Sequence, residues 1–161
     1  IYMPRARLLG LGLLALAAAN EPLYDFESSP LIKLDDSNFE KEVLKDDGHL
    51  WVVEFYADWC GHCKQLKPDW AKVSEELTPI FADEIEGDDA VIMAAADCTA
   101  GGSEICGKYE VNGYPTLMYF GDSHAEPEKY EGPRTSKALK KFAVRKVAPD
   151  WKEPPVVSMH A

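Results

Sequence analysis

Basic side chains are in the minority in this sequence. Its 161 residues include 17 lysines and arginines against 28 aspartates and glutamates, so the formal net charge at pH 7 is -11. A protein that binds nucleic acid needs a basic face that neutralises phosphates. The charge balance therefore predicts that nucleic acid is not a partner, and we expect the acidity to serve solubility.

The sequence also lacks a hydrophobic run suited to spanning a membrane. The apolar stretch from Leu8 to Ala19 has 12 residues, whereas a transmembrane helix needs about 20. Arg5 and Arg7 precede this stretch, and three alanines close it. That layout predicts a signal peptide over residues 1–19, with an uncleaved anchor as the alternative. We therefore expect no stable membrane insertion and a location in the endoplasmic reticulum lumen or outside the cell.

The chain has no internal repeat, and its length suits one compact domain rather than two. Residues 20–29 carry charges and turn formers without periodicity, which predicts a flexible leader. The folded domain is expected over residues 30–148. The proline-rich residues 149–161 are interpreted as a tail or a truncated linker.

Hydrophobic periodicity within the predicted domain alternates between strand and helix. The run Leu50–Tyr56 is nearly all apolar, as expected for a central strand that is buried on both faces. It leads directly into a helical pattern that starts at Gly61. The remaining predicted elements are strands at 31–34, 90–96, 116–120 and 129–130, and helices near 39–44, 105–109 and 136–147. This order predicts an α/β fold.

Cysteine is scarce, and its four copies fall into two pairs. Cys60 and Cys63 are separated by two residues, and Cys98 and Cys106 by seven. Thiols in the secretory pathway form lasting or cycling disulfides. A two-residue gap between a strand and a helix lets two sulfurs meet in a small ring, which is typical of a redox motif.

The chemistry of the first pair follows from its place at the start of a helix. Unpaired backbone N–H groups and the positive end of the helix dipole stabilise the thiolate of Cys60, which makes Cys60 the nucleophile. Attack on a substrate disulfide gives a mixed disulfide that Cys63 resolves. An imidazole at His62 stabilises the reduced form and favours the oxidising direction.

Two other interpretations of the cysteines stay open at this point. Cys60 and Cys63 could form half of a four-thiolate zinc site whose other half is Cys98 and Cys106. The seven-residue gap between Cys98 and Cys106 does not suit the second half of such a site. The two pairs could also be unrelated structural disulfides.

Beyond these residues, the chain resembles a known family, the catalytic domains of protein disulfide isomerases. The resemblance rests on the segments Val53–Lys64, Gly113–Thr116 and Tyr130–Thr135, which occur in the family's order, and it covers about residues 30 to 147. Asp58 departs from the pattern, since the family usually has proline there. The resemblance implies a thioredoxin-like three-layer fold, with a central mixed β-sheet flanked by helices, and an active-site motif that includes Gly61 and His62. It implies no cofactor and no metal.

The resemblance also assigns roles to two charged residues. Glu54 matches a buried acid that moves protons for Cys63; the alternative is a structural carboxylate paired to a lysine. Arg134 matches an arginine that approaches the active site and favours the thiolate of the second cysteine during reoxidation. The alternative for Arg134 is a solvated charge at a helix end.

Further positions match the family's substrate-facing surface and its second disulfide. The Tyr114–Pro115 bond matches the cis-proline position, and together with Trp59 it would form an apolar lip for unfolded chains. Trp59 could instead lie in the core. The second cysteine pair, Cys98 and Cys106, resembles a structural disulfide, with a second catalytic pair as the alternative.

The function that the resemblance implies is the formation, reduction or rearrangement of protein disulfides. The expected partners are unfolded or disulfide-containing proteins and a recycling oxidase or glutathione. A dedicated thioredoxin-like reductase and a non-catalytic chaperone that binds unfolded chains are the rival functions.

Overall fold

The computed structural model describes residues 22–45, 48–84, 90–121 and 126–153, so the predicted signal peptide lies outside the described residues. Strands and helices alternate in this part of the chain. Within it, no helix is both long enough and apolar enough to cross a membrane. The strands are β1 (Ile32–Leu34), β2 (Leu50–Tyr56), β3 (Val91–Asp97), β4 (Thr116–Phe120) and β5 (Glu128–Lys129); the helices are α1 (Phe39–Val43), α2 (Gly61–Pro79), α3 (Ser103–Lys108) and α4 (Ser136–Val147), and a π-helical turn, Ile80–Glu84, extends α2.

The five strands form one mixed sheet in the order β1-β3-β2-β4-β5. The first three are parallel, with β3 between β1 and β2. The other two pair antiparallel, β4 with β2 and β5 with β4. A parallel β-α-β half and a C-terminal antiparallel hairpin thus make up the mixed sheet, and the predicted mixed sheet is confirmed.

All seven residues of β2 are buried, which explains their apolar run. Because side chains alternate between the faces of a strand, β2 supplies two separate hydrophobic clusters. Val52 and Tyr56 face one cluster, while Trp51 and Phe55 face the other. The sheet is therefore the middle layer of three, as predicted.

The first cluster lies under α2 and α4. The buried face of α2 carries Leu66, Trp70, Val73 and Leu77 at helical spacing. Helix α4 packs beside it, and the hydroxyl of Thr135 caps α4 by accepting the backbone N–H of Ala138 at 3.3 Å. The second cluster lies on the opposite face of the sheet under α1 and α3, with buried residues that include Phe39, Val43, Ile105 and Cys106.

Residues 22–29, the described part of the expected flexible leader, pack against the domain. Leu23 and Tyr24 are buried in the same cluster as α2. The residues after them form a turn in which the side chain of Asp25 accepts the backbone N–H groups of Glu27 and Ser28. The ordered chain therefore begins before Pro30, because two apolar side chains within a charged segment are enough to bind it to the core.

The expected tail after residue 148 differs in the same way. Trp151 is half-buried and packs against the α2 and α4 cluster. The carboxylate of Glu153 lies 2.6 Å from the ammonium group of Lys140 on α4. The first residues of the predicted tail thus continue the domain.

Cys98 and Cys106 form a disulfide that joins the end of β3 to α3, with 5.7 Å between their Cα atoms. Both residues are buried in the second cluster, away from α2. The bridge closes a loop with a sequence separation of 8. Loop closure restricts the unfolded chain, which is a stabilising role that needs no turnover.

We predict that replacing Cys98 and Cys106 together with serine lowers the free energy of unfolding by about 2–3 kcal/mol, because the unfolded chain regains the freedom of that loop. Urea unfolding of the oxidised protein measures this change. Disulfide exchange by the folded double variant should stay at the wild-type rate. A folded variant that has lost exchange would instead identify a second catalytic pair.

Candidate active site

The Cys60–Cys63 pair lies where the central strand gives way to the longest described helix. Strand β2 ends at Tyr56, and a tight turn follows, in which the backbone N–H of Cys60 donates to the carbonyl of Ala57 at 3.0 Å. Cys60 is the N-cap of the 19-residue α2. The two cysteines form a disulfide with 5.3 Å between their Cα atoms.

The two sulfurs differ in access and in hydrogen bonding. Cys63 is 0% exposed, whereas Cys60 retains 5% and follows an exposed tryptophan. The backbone N–H of Cys63 donates to the sulfur of Cys60 at 3.1 Å. This bond and the helix dipole favour negative charge on Cys60 once the bridge opens. Gly61 and His62 are both exposed between the two cysteines.

Glu54 is 0% exposed in the middle of β2. Its cross-strand neighbours are apolar, Ala95 on β3 and Leu117 on β4. Its carboxylate accepts a hydrogen bond from the hydroxyl of Tyr24 through Oε2. The other oxygen, Oε1, is buried without a hydrogen-bond partner among the described residues.

The burial of Glu54 changes its acidity. Desolvation raises the pKa of Glu54 from its ordinary 4.5 to about 8, and the hydrogen bond from Tyr24 and the charge of Arg134 act in the opposite direction. The carboxyl group is therefore mostly protonated at neutral pH and still able to exchange its proton. The alternative interpretation of Glu54 was a structural carboxylate paired to a lysine. The structure differs, because the hydrogen-bond partner of the Glu54 carboxylate is a tyrosine.

Tyr24 is the part of this site that the sequence analysis missed. The segment around it looked like a leader because charges and turn formers surround it. The available signal was weak: an apolar pair, Leu23-Tyr24, in otherwise polar sequence. A hydrogen bond that spans 30 positions has no local pattern from which it could be read.

The Tyr114–Pro115 peptide bond is cis, as the resemblance implies. Pro115 is buried, and its carbonyl accepts a hydrogen bond from Nη2 of Arg134 at 3.1 Å. The charge of Arg134 also acts on Glu54. The exposed side chain of Arg134 thus contacts the backbone of the cis proline and acts on Glu54, rather than standing as an isolated charge at the start of α4.

Trp59 is exposed over 69% of its surface, so its interpretation as a core residue is wrong. Its ring meets that of Tyr114 edge to face, with 5.8 Å between the centroids. The two rings form an apolar surface directly beside Cys60. An exposed apolar surface of this kind suits contact with another chain.

Asp58, which departs from the family pattern, binds the N-terminal segment. Its carboxylate accepts the backbone N–H of Leu23 at 3.3 Å. Desolvation and the neighbouring carboxylate of Asp97 raise the pKa of Asp58. Asp58 therefore supplies the active-site turn with a polar contact to residues that lie far away in sequence.

The cysteines are arranged as two separate disulfides. Cys60 and Cys63 belong to the cluster under α2, and Cys98 and Cys106 to the cluster on the other face of the sheet. This pairing differs from the single four-thiolate site that was one interpretation of the sequence.

Comparison with known proteins gives a family and several relatives. The thioredoxin family model matches residues 30–145. The protein disulfide-isomerase-like protein EhSep2 of Emiliania huxleyi is 42% identical over 122 residues, which make up 76% of this chain and 51% of that protein. Human protein disulfide-isomerase A6 is 41% identical over 112 residues, 70% of this chain and 23% of that protein. The chain thus spans about half the length of the first relative and under a quarter of the second.

Solved structures give the same result. The first thioredoxin domain of mouse protein disulfide-isomerase A4 superimposes with a TM-score of 0.61 at 29% sequence identity, over 92% of this chain and 97% of that one. The chain therefore belongs to the thioredoxin family, within which it is similar to protein disulfide isomerases.

Proposed function

We propose that this chain is a thiol–disulfide oxidoreductase that forms, reduces and rearranges disulfides in other proteins. The observation that carries the proposal is the disulfide between Cys60 and Cys63 at the N-terminus of α2, next to the exposed ring of Trp59. A helix N-terminus that favours the Cys60 thiolate makes this bridge easy to open, and the adjacent apolar surface presents it to a substrate chain.

The reaction transfers two electrons through sulfur alone. In the oxidising direction, a substrate thiolate attacks Cys60, the Cys60–Cys63 bond breaks, and Cys63 leaves as a thiolate that takes up a proton. A second substrate thiolate then attacks the mixed disulfide and releases Cys60 as a thiolate. The substrate has lost two electrons to the dithiol, and the reverse sequence reduces a substrate disulfide.

Glu54 supplies and receives the proton of Cys63 in this proposal. Its alternation along β2 points it to the same face of the sheet as α2, where Cys63 is fully buried. Water has little access to Cys63, so an acid on the same face of the sheet whose pKa is about 8 is well matched to a thiol. The pKa match is what a proton exchange near neutral pH requires.

Arg134 and His62 tune the charge at the same centre. The guanidinium of Arg134 is held at the carbonyl of Pro115 and acts on Glu54, and in this proposal its positive charge favours the Cys63 thiolate during reoxidation. His62 is exposed beside Cys60, where its imidazole favours the reduced, thiolate form. Both effects support cycling of the dithiol rather than a permanent bridge.

The substrates that fit this surface are unfolded or partly folded proteins with cysteines. The rings of Trp59 and Tyr114 offer apolar contact without a closed specificity pocket, which suits broad recognition. A recycling oxidase or glutathione would restore the oxidised pair. We place the protein in the lumen of the endoplasmic reticulum or outside the cell on the strength of the signal-peptide pattern at residues 1–19.

Refolding of a reduced, disulfide-containing test protein tests the function. We expect the wild type to accelerate recovery of the native disulfides and Cys60→Ser to abolish this activity. Cys63→Ser should instead accumulate a mixed disulfide with the substrate, since attack proceeds and resolution does not. Mass spectrometry of the quenched reaction measures that adduct.

The two rival functions predict different results in an aggregation assay and in a measurement of the reduction potential. A non-catalytic chaperone would suppress aggregation equally well after both cysteines are replaced with serine. A dedicated reductase would show a reduction potential near the thioredoxin value of about -270 mV rather than the isomerase value of about -180 mV. A wild type that suppresses aggregation but exchanges no disulfides, or one with the thioredoxin-like potential, would contradict the proposal.

The raised pKa of Glu54 predicts a pH dependence of stability. Between about pH 4.5 and 8 the folded protein holds a proton on Glu54 that the unfolded chain releases, so the free energy of unfolding falls as the pH rises through this window. Glu54→Gln removes the titration. The free energy of unfolding of Glu54→Gln minus that of the wild type should therefore rise with pH across this window, by at most about 1.4 kcal/mol per pH unit. A pH-independent difference between the two proteins adds to this change.

Urea unfolding of the oxidised proteins at a series of pH values measures this difference. Glu75→Gln, at an exposed position on α2, makes the same chemical change outside the core; it is the control and should follow the wild-type curve. A constant difference between Glu54→Gln and wild type would show that Glu54 is ionised throughout. Glu54→Gln should also slow disulfide exchange by about 10²-fold, the ordinary contribution of a proton-transfer group.

Arg134→Ala should slow reoxidation of the reduced dithiol by oxidised glutathione by about two- to fivefold, the equivalent of a partly solvated charge interaction of up to about 1 kcal/mol. Stopped-flow tryptophan fluorescence follows this step. Arg145→Ala on the exposed face of α4 is the control, which should leave the rate unchanged. Equal rates for the two variants would remove Arg134 from the mechanism.

A further inference from the structure

The buried hydroxyl of Tyr24 is a polar group that the proposed reaction does not yet use. The side chain is 1% exposed and donates its hydroxyl hydrogen to Oε2 of Glu54. Tyr24 precedes residues 30–145, the part of the chain that matches the thioredoxin family. A residue outside the matched domain therefore touches the acid inside it.

The surroundings of Glu54 leave few groups that could direct its proton. The neighbouring strands contribute Ala95 and Leu117, which are apolar. Arg134 acts on Glu54 through its charge while its own hydrogen bond goes to a backbone carbonyl. Tyr24 therefore gives the carboxyl group its one hydrogen bond among the described residues.

The other titratable groups near Glu54 come from β2 and α2. Tyr56 on β2 faces the same cluster, and burial together with the carboxylates of Asp97 and Asp58 raises its pKa. From α2, the cysteine pair faces this layer. In the reduced protein, the thiol of Cys63 is thus the group on α2 with which Glu54 can exchange a proton near neutral pH.

The two oxygens of Glu54 have different environments. Oε2 is held by the Tyr24 hydroxyl, while Oε1 is equally buried and has no partner within the described part of the chain. A buried oxygen without a hydrogen-bond partner costs stability, so its presence calls for an explanation. This asymmetry leaves Oε1 as the oxygen that is available to accept or release a proton.

Tyr24 itself is firmly held. Its ring meets that of Tyr56 edge to face with 5.6 Å between centroids, and that of Phe26 with 6.0 Å. The preceding residue, Leu23, donates its backbone N–H to Asp58, two positions before Cys60. The segment over residues 22–29, which we call the N-terminal clasp, is thereby fixed to the active-site turn and to the buried acid.

We propose that Tyr24 is a positioning residue for proton transfer at Cys63, and that the N-terminal clasp is a functional part of the active site. This inference rests on the proposed function. During resolution of a mixed disulfide, the S–H bond of Cys63 breaks and an O–H bond forms on Oε1 of Glu54. The sulfur of Cys63 then attacks Cys60, and the substrate sulfur leaves as a thiolate with the electron pair of the broken bond.

The hydrogen bond has a definite electrostatic effect. An O–H group that donates to Oε2 stabilises the carboxylate form, so Tyr24 lowers the pKa of Glu54 against the opposing effect of burial. Without this donor, a smaller fraction of Glu54 is ionised at pH 7 and able to accept the proton of Cys63. Loss of the hydroxyl should therefore slow resolution at neutral pH and less so at alkaline pH.

Tyr24→Phe in the full chain tests the proposal, because it removes the hydroxyl and keeps the ring. Carbon-13 NMR of the Glu54 carboxyl in the oxidised protein follows its titration directly, without any exchange reaction. Stopped-flow resolution of the glutathione mixed disulfide at Cys60 gives the pH profile of the rate. We expect both midpoints to rise by about one pH unit, the equivalent of a hydrogen bond to a charged group, and the rate at pH 7 to fall by about tenfold.

Tyr109→Phe is the matched control. The hydroxyl of Tyr109 is also buried but has no hydrogen-bond partner among the described residues, and its ring packs against the cluster on the other face of the sheet. This variant should move neither midpoint. In the Glu54→Gln background, Tyr24→Phe should leave the pH profile of resolution unchanged, since the group that it positions is gone.

Three results would contradict the inference, and they are distinguishable. A Tyr24→Phe variant that loses stability but keeps both wild-type midpoints would make Tyr24 a purely structural residue. A shifted NMR midpoint with an unchanged rate profile would separate Tyr24 from proton transfer. A wild-type protein that resolves no mixed disulfide would refute the proposed function, and the positioning role with it.

Discussion

The central constraint in this structure is the direct passage from a strand buried on both faces into the N-terminus of a long helix. Strand β2 is fully buried, so its end is fixed in position by packing on both sides. Helix α2 starts within a few residues of that end, with Cys60 at its N-cap. The dithiol thus has a rigid support and lies beside the unpaired backbone N–H groups and the positive dipole end of α2. Of its two cysteines, only Cys60 keeps any access to solvent.

The same burial creates the second chemical feature of the site. A strand that must be covered on both faces places Glu54 where ionisation is costly, and no lysine or arginine forms an ion pair with it in the described residues. The carboxyl group responds by holding its proton to a higher pH. A stability cost in the core and a carboxyl group that is mostly protonated at neutral pH therefore have one physical cause.

Much of the fold could be predicted from local patterns. The limits of β2 and β4 match the predicted runs, since buried strands show as nearly continuous apolar sequence. The predicted face of α2 is the buried face. The packing of the segments before Pro30 and after Ala148 could not be predicted, because Leu23, Tyr24 and Trp151 stand among charged and turn-forming residues. One or two apolar side chains bind a segment to the core without producing a periodic pattern.

By itself, the sequence determined the type of fold, the dithiol and the residues around it that resemble protein disulfide isomerases, because each of these leaves a periodic pattern or a short motif. The tertiary structure decided which cysteines pair across the loop after β3, that Trp59 faces solvent and that Arg134 reaches Pro115. It also decided that Tyr24 meets Glu54. The contacts of Arg134 with Pro115 and of Tyr24 with Glu54 join residues that are distant in the chain, and only packing brings such residues together.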